Sequence, residues 1–115
     1  MHELSLCQAL LKQVETIAHQ HQAQSVAQIT LQIGPLSGVE AELLSQAFTL
    51  ARMDTIAEQA ELILQPLPIR IRCQTCQLES EAAVNQLTCP HCGDWHTQLL
   101  SGDELLLAQI ELMTA

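Results

Sequence analysis

Four cysteines stand in two Cys-x-x-Cys pairs, Cys73-Gln74-Thr75-Cys76 and Cys89-Pro90-His91-Cys92, with twelve residues between the pairs. Thiolates are soft ligands, and two residues inside each pair let both sulfurs converge on one ion about 2.3 Å away. A short hairpin between the pairs brings the second opposite the first, which is the layout of a closed, tetrahedral structural zinc site. Iron in the same sulfur cage satisfies the spacing as well. A redox dithiol is a further reading, although that motif normally sits at a helix start after a strand, and two copies in one small segment fit metal better. Disulfides require an oxidising compartment, whereas Met1-His2-Glu3 begins with no basic n-region and no apolar signal segment, so a reducing cytoplasm is the expected location. The fifth cysteine, Cys7, falls on the apolar stripe of a helix and reads as a small buried hydrophobe.

The amino terminus offers a second donor set. A bulky second residue keeps Met1 in place, so its amine, the next amide and the His2 imidazole follow one another along the chain. Nitrogen donors of this kind suit square-planar or tetragonal Ni(II) or Cu(II). A fourth donor must come from elsewhere: Glu3 is next in the chain, and Glu40, at the start of a second helix, can arrive through space. The alternative is a solvated terminal histidine with Glu3 and Glu40 as first-turn carboxylates favoured by the helix dipole. His19 and His21 sit near the end of the first helix, where a cation is favoured. His91, inside the second pair, and His96, four residues past it, are not needed to complete a four-sulfur site.

These groups need positioning elements. Leu4, Cys7, Leu11, Val14 and Ala18, widened by Leu10 and Ile17, predict an amphipathic helix from residue 3 to about 22. From Ser25 to Ile33 the period changes to two, with Ile29, Leu31 and Ile33 alternating with Gln28, Thr30 and Gln32, as in a half-buried strand. Gly34-Pro35-Leu36-Ser37-Gly38 then forces a turn. A second helix is expected over about 39–57, with Leu44, Ala47, Phe48 and Ala51 on one face, followed by a strand near 60–66 in which Leu62 and Leu64 share a face. Pro66 and Pro68 mark the boundary to the cysteine segment, which Ile69 to Arg72 feed. A last strand, 104–113, is expected to bury Leu106, Ala108, Ile110 and Leu112. The predicted class is α+β: two helices on one side of a small sheet of about three strands, with a zinc ribbon inserted before the final strand. The expected domains are residues 1–68 with 102–115, and the ribbon at 69–101.

A chain of 115 residues has little core to spend on a separate ribbon, so a metal staple is physically apt. Phe48 and Trp95 are the only aromatics, which leaves burial to Leu, Ile, Val and Ala. Thirteen acidic against four basic residues give a net charge of −9, which opposes binding to a phosphate polyanion and favours basic partner surfaces. In the ribbon, Arg70 and Arg72 are matched against Glu79, Glu81 and Asp94, with no basic stripe or pair of stacking aromatics, so no nucleic-acid partner is expected. No apolar run reaches the length of a membrane span. No residue set looks hydrolytic and the P-loop motif is absent, so the chain is not expected to be an enzyme.

The opening Met1-His2-Glu3-Leu4-Ser5, the central Ile33-Gly34-Pro35-Leu36-Ser37-Gly38-Val39-Glu40, the paired knuckles with Cys89-Pro90-His91-Cys92-Gly93, and Gly102-Asp103-Glu104-Leu105 together resemble the HypA/HybF nickel-insertion proteins over the entire chain. The resemblance implies a metallochaperone that works with the GTPase HypB to deliver Ni(II) to the large subunit of [NiFe]-hydrogenase and, in some organisms, to urease. It implies nickel binding by His2 with Glu3 and the terminal nitrogens of Met1, an acidic contribution at Glu40, and structural zinc on Cys73, Cys76, Cys89 and Cys92. The expected assembly is a monomer or weak homodimer, with no membrane partner. Gln77 stands where a knuckle often has glycine, and the histidine that follows each Cys-x-x-Cys in some members is absent after Cys76. A zinc-ribbon adaptor with no second metal and a thiol–disulfide enzyme are the competing functions.

Overall fold

In a computed structural model, residues 2–114 are described, His2 by its backbone alone. The chain forms two compact units: Met1–Leu31, Val39–Gln65 and Leu106–Ala115 make one, and Gln32–Gly38 with Pro66–Leu105 the other.

In the first unit, α1 (His2–Gln20) buries Cys7, Leu11, Val14 and Ala18, as the helical spacing predicts, whereas Leu4 at its start is 40% exposed. The helix ends where Gln22 turns to φ 56°, with Gln22 N–H donating to the His19 carbonyl and Ala23 N–H to that of Ala18 at 2.9 Å. This pair of bonds satisfies the last carbonyls without a glycine. His21, exposed, places Nδ1 2.9 Å from the Ile17 carbonyl. Strand β1 (Ser25–Ile33) follows and lies at the centre of a three-stranded sheet, between β2 (Glu61–Pro66) and β6 (Leu105–Met113). Central placement explains why Thr30 is buried beside Ile29 and Leu31.

Helix α2 (Ala41–Ala51) is shorter than the predicted 39–57. Its end is set by side chains that satisfy a looping backbone: Thr55 Oγ1 donates to the Arg52 carbonyl, and Glu58 accepts from Asp54 N–H, Asp54 standing at φ 63°. Arg52 Nη1 donates to the Ala60 carbonyl while its guanidinium lies 5.7 Å from the Phe48 ring centre. Leu44 and Phe48 are the buried residues of α2, and β2 (Glu61–Pro66) follows the loop.

Strand β6 (Leu105–Met113) corrects the predicted face. Leu106 and Ala108 are exposed, whereas Leu105, Leu107, Ile110 and Leu112 are half-buried. Two successive exposed residues, Ala108 and Gln109, shift the alternation by one, an irregularity that edge strands accommodate and period-two counting misses.

In the second unit, β3 (Ile69–Cys73) is flanked by β4 (Glu79–Ala82) and β5 (Thr97–Ser101), both antiparallel. Arg70 stands opposite Glu81, and Arg72 opposite Glu79 with an ion pair of 2.5 Å. Both side chains are largely exposed, so the pair contributes little stability. Ile69, Ile71 and Cys73 of β3 are buried, with Cys89 of the second cysteine pair, a core too small to hold the fold alone. The 33–38 turn packs on the lead-in to β6: Gly34 N–H donates to the Glu104 carbonyl at 2.8 Å and Leu36 N–H to that of Gly102 at 2.7 Å. The two loop motifs singled out in the sequence thus meet in space.

Candidate metal centre

Each cysteine pair occupies a knuckle whose backbone wraps around a sulfur. In the first, Cys73 N–H donates to the Leu78 carbonyl at 3.0 Å, and Gln77 N–H to the Cys73 carbonyl at 2.9 Å. In the second, Cys89 N–H donates to the Asp94 carbonyl at 2.9 Å, and Gly93 N–H to the Cys89 carbonyl at 2.8 Å. The offsets are identical, so the two knuckles share one backbone hydrogen-bond pattern. Each must pass through a left-handed residue after its second cysteine: Gly93 at φ 78° and Gln77 at φ 66°. Glycine is the residue suited to that conformation, and Gln77 occupies it with its Nε2 donating to the Gln74 carbonyl at 2.9 Å.

The four sulfurs lie within 4.8 Å of one another, with Cys73 and Cys92 3.5 Å apart and Cys76 and Cys89 3.6 Å apart. A regular tetrahedron of sulfurs around zinc has edges of about 3.8 Å, so the residues fit an ion of that size. None of the four cysteines is in a disulfide. Amides point at the inner sulfurs: Cys76 N–H to Cys73 Sγ and His91 N–H to Cys89 Sγ, both at 3.4 Å.

The four thiols do not hold their protons equally. The Cys76 amide, then the Thr75 amide and the neighbouring thiols, outweigh burial and hold the Cys73 thiol down to about 7. The Cys92 and His91 amides lower Cys89 in the same way. On Cys76 the Leu78 amide favours thiolate, but burial and the thiols of Cys89 and Cys73 leave it raised. On Cys92 the Asp94 amide is likewise outweighed by the Cys73, Cys89 and Cys76 thiols and burial, which push it up to about 12. Thiols packed this closely do not all ionise by themselves, and a divalent cation bound among them would neutralise the thiolates.

Sequence reasoning missed the polar groups around this cage. Asp94 accepts hydrogen bonds from Thr75 Oγ1, from His96 N–H at 3.0 Å and from the His96 ring Nδ1 at 2.7 Å. These donors, led by Thr75, hold its carboxyl well below the usual carboxylate range. The His96 ring also stacks on Trp95, with centroids 3.9 Å apart. The available signal was a short hydroxyl inside one knuckle and a short carboxylate two residues past the other.

The second predicted donor set falls partly outside the described residues: Met1 and the side chain of His2 are not described. Glu3 is half-buried in the first turn of α1, on the side of Cys7, whose thiol is raised by burial and then by the Glu3 charge. Cys7 is fully buried, as predicted, with its sulfur 3.6 Å from the Leu44 carbonyl of α2. Glu40 is the exposed N-cap of α2, with no side-chain cap bond. Among the described residues, the four cysteines are the one group of three or more His, Cys, Asp or Glu side chains close enough to share an ion.

A family model described as hydrogenase/urease nickel incorporation, metallochaperone, hypA matches residues 1–112. The chain belongs to the HypA family. The hydrogenase maturation factor HypA of Nitrosospira multiformis is 46% identical over 114 residues, 99% of each chain, and that of Aquifex aeolicus 42% identical over 112 residues, 97% of each. The fold matches the solution structure of the Ni metallochaperone HypA from Helicobacter pylori, with a TM-score of 0.72 at 22% identity over 98% of each chain. A second HypA solution structure gives 0.77 at 23% identity, over 100% of this chain and 98% of the other. This HypA-family chain therefore combines helices on one small sheet with a four-cysteine ribbon able to bind a metal ion. No helix among its described residues is long and apolar enough to cross a membrane.

Proposed function

We propose that the chain is a nickel carrier that takes up Ni(II) at its amino terminus and hands it, with a HypB-type GTPase, to the large subunit of [NiFe]-hydrogenase, acting in the cytoplasm and catalysing no reaction itself. The observation that carries this reading is the family match over residues 1–112, which includes the Met1-His2-Glu3 opening. On this reading Ni(II) is cargo, held by His2 with the Met1 amine and Glu3, while Glu40 supplies a carboxylate. Amine, amide and imidazole nitrogens must be free of protons to ligate, so affinity falls as pH drops. Donors at a chain end leave the ion open to a recipient.

Cys73, Cys76, Cys89 and Cys92 would hold structural zinc, whose charge keeps four thiolates together and stabilises the ribbon. Residues 69–101 then form the platform on which the GTPase or the hydrogenase docks, and residues 1–68 with 102–115 the nickel-binding domain. The chain acts as a monomer or weak homodimer, and urease maturation factors are the second recipient class.

Replacing His2 by alanine is expected to abolish Ni(II) binding and leave zinc at about one ion per chain. Titration followed at the visible ligand-field band, with elemental analysis of the same samples, tests this. A His2→Ala chain that keeps a full-affinity nickel site refutes the assignment. A wild-type chain that carries zinc, binds no nickel and is indifferent to blocking of the terminal amine is an adaptor instead.

A further inference from the structure

The two knuckles share their backbone pattern but not their side chains. Counting from the first cysteine of each, Gln74, Thr75, Leu78 and Ser80 correspond to Pro90, His91, Asp94 and His96. On one rim of the cage two bonds cross between knuckles: Thr75 Oγ1 donates to Asp94 Oδ2, and Gln74 N–H donates to the His96 carbonyl at 2.9 Å. With the knuckles exchanged, the corresponding bonds would run from His91 to Leu78 and from Pro90 to Ser80. Neither can form, because a leucine side chain accepts no hydrogen bond and proline has no N–H to donate. Leu78 and His91 are both exposed.

Asp94 is the residue on which the crossing rim converges. Its carbonyl takes the Cys89 N–H, its amide favours the Cys92 thiolate, and its carboxylate reaches the opposite knuckle. His96 N–H and Nδ1 both hold Oδ1, which leaves Oδ2 aimed at Thr75. We infer that the Thr75–Asp94 bond is a latch across one rim of the cysteine cage that limits the rate at which its metal ion leaves, and that the knuckles part at the opposite rim, by Leu78 and His91. This rests on the four-cysteine site holding zinc, as proposed above. Thr75 and Asp94 are positioning residues: they touch no ion and act by keeping the two knuckles closed on it.

The test follows first-order zinc release from the full, zinc-loaded chain to a chromogenic chelator at fixed pH. Thr75→Val removes only the hydroxyl and is expected to speed release about tenfold, the scale for losing a hydrogen bond to a charged acceptor. Thr75→Ser restores the slow rate, and Thr75→Val combined with Asp94→Ala is no faster than Asp94→Ala alone, because one bond is lost in either case. Leu78→Ala, on the rim with no crossing bond, changes the rate by less than about twofold. Cobalt-substituted spectra check that each variant keeps four sulfur ligands. If Thr75→Val releases zinc at the wild-type rate, or Leu78→Ala is as fast as Thr75→Val, the latch is overturned. A wild-type chain that holds no zinc removes instead the reading on which the latch rests.

Discussion

Replacing Gly34 by alanine isolates the contact between the 33–38 turn and the lead-in to β6. A Cβ at position 34 falls 2.2 Å from the Gly102 carbonyl oxygen, 2.3 Å from its carbon and 2.9 Å from the Asp103 nitrogen. Ordinary contact begins near about 3.5 Å, and all three atoms are backbone, so the segments must separate by roughly 1 Å. That separation stretches the Gly34–Glu104 and Leu36–Gly102 hydrogen bonds beyond useful length. Losing two such bonds, at about 1 kcal/mol each, with the residual overpacking, gives a cost of about 2–4 kcal/mol. Gly38 is the control: it stands at φ 80° with nothing within 4 Å of an added Cβ, so Gly38→Ala meets only the left-handed penalty of about 1 kcal/mol. Urea unfolding of the zinc-loaded chains by far-UV circular dichroism, with hydrogen exchange of β3 amides, compares the two. If Gly34→Ala costs no more than Gly38→Ala, close backbone approach is not what reserves position 34 for glycine.

Three further outcomes are expected. Gln77→Gly removes a left-handed penalty of about 1–2 kcal/mol, offset by glycine's greater freedom when unfolded and a lost exposed hydrogen bond, so the zinc-loaded chain should gain about 0.5 kcal/mol of stability, read as a higher urea midpoint at unchanged slope. Glu104 is held below the usual carboxylate range, first by the Gly102 N–H at 2.7 Å and then by its own amide and that of Asp103. Its contribution to stability is therefore present above the ordinary glutamate range and lost as pH falls through the lowered value; Glu104→Gln should flatten this acid limb of a stability–pH curve. Stripping metal with a strong chelator should abolish exchange protection in β3, β4 and β5 while α1 and α2 keep theirs, because the helices bury Val14, Leu44 and Phe48 in a core of their own. Loss of helix protection along with the ribbon would show that the units do not stand separately.

Local pattern made much of this fold legible. The apolar spacing of Cys7, Leu11, Val14 and Ala18 announces a helix, and the two Cys-x-x-Cys pairs announce a shared ion, because both signals depend on neighbours along the chain. Alternation in a strand depends on what covers it, which short spacing does not carry: the slip at Ala108–Gln109 reverses which side of β6 is covered, so Leu106 is exposed. Helix α2 stops short of its apolar pattern because the hydrogen bonds that end it come from Thr55, Glu58 and Arg52, whose targets are set by the loop's own path.

By itself, the sequence determined the donor types of the ribbon, four thiols in two Cys-x-x-Cys pairs, and an acidic chain ill-suited to polyanions. Those are properties of residue type and short spacing, which folding does not alter. Tertiary structure alone decided which rim of the cage is tied, since Thr75 and Asp94 are nineteen positions apart and meet only once the knuckles face each other. It also decided that Gly34 must be glycine, because the backbone that forbids a side chain there belongs to Gly102, a segment that chain order places far away.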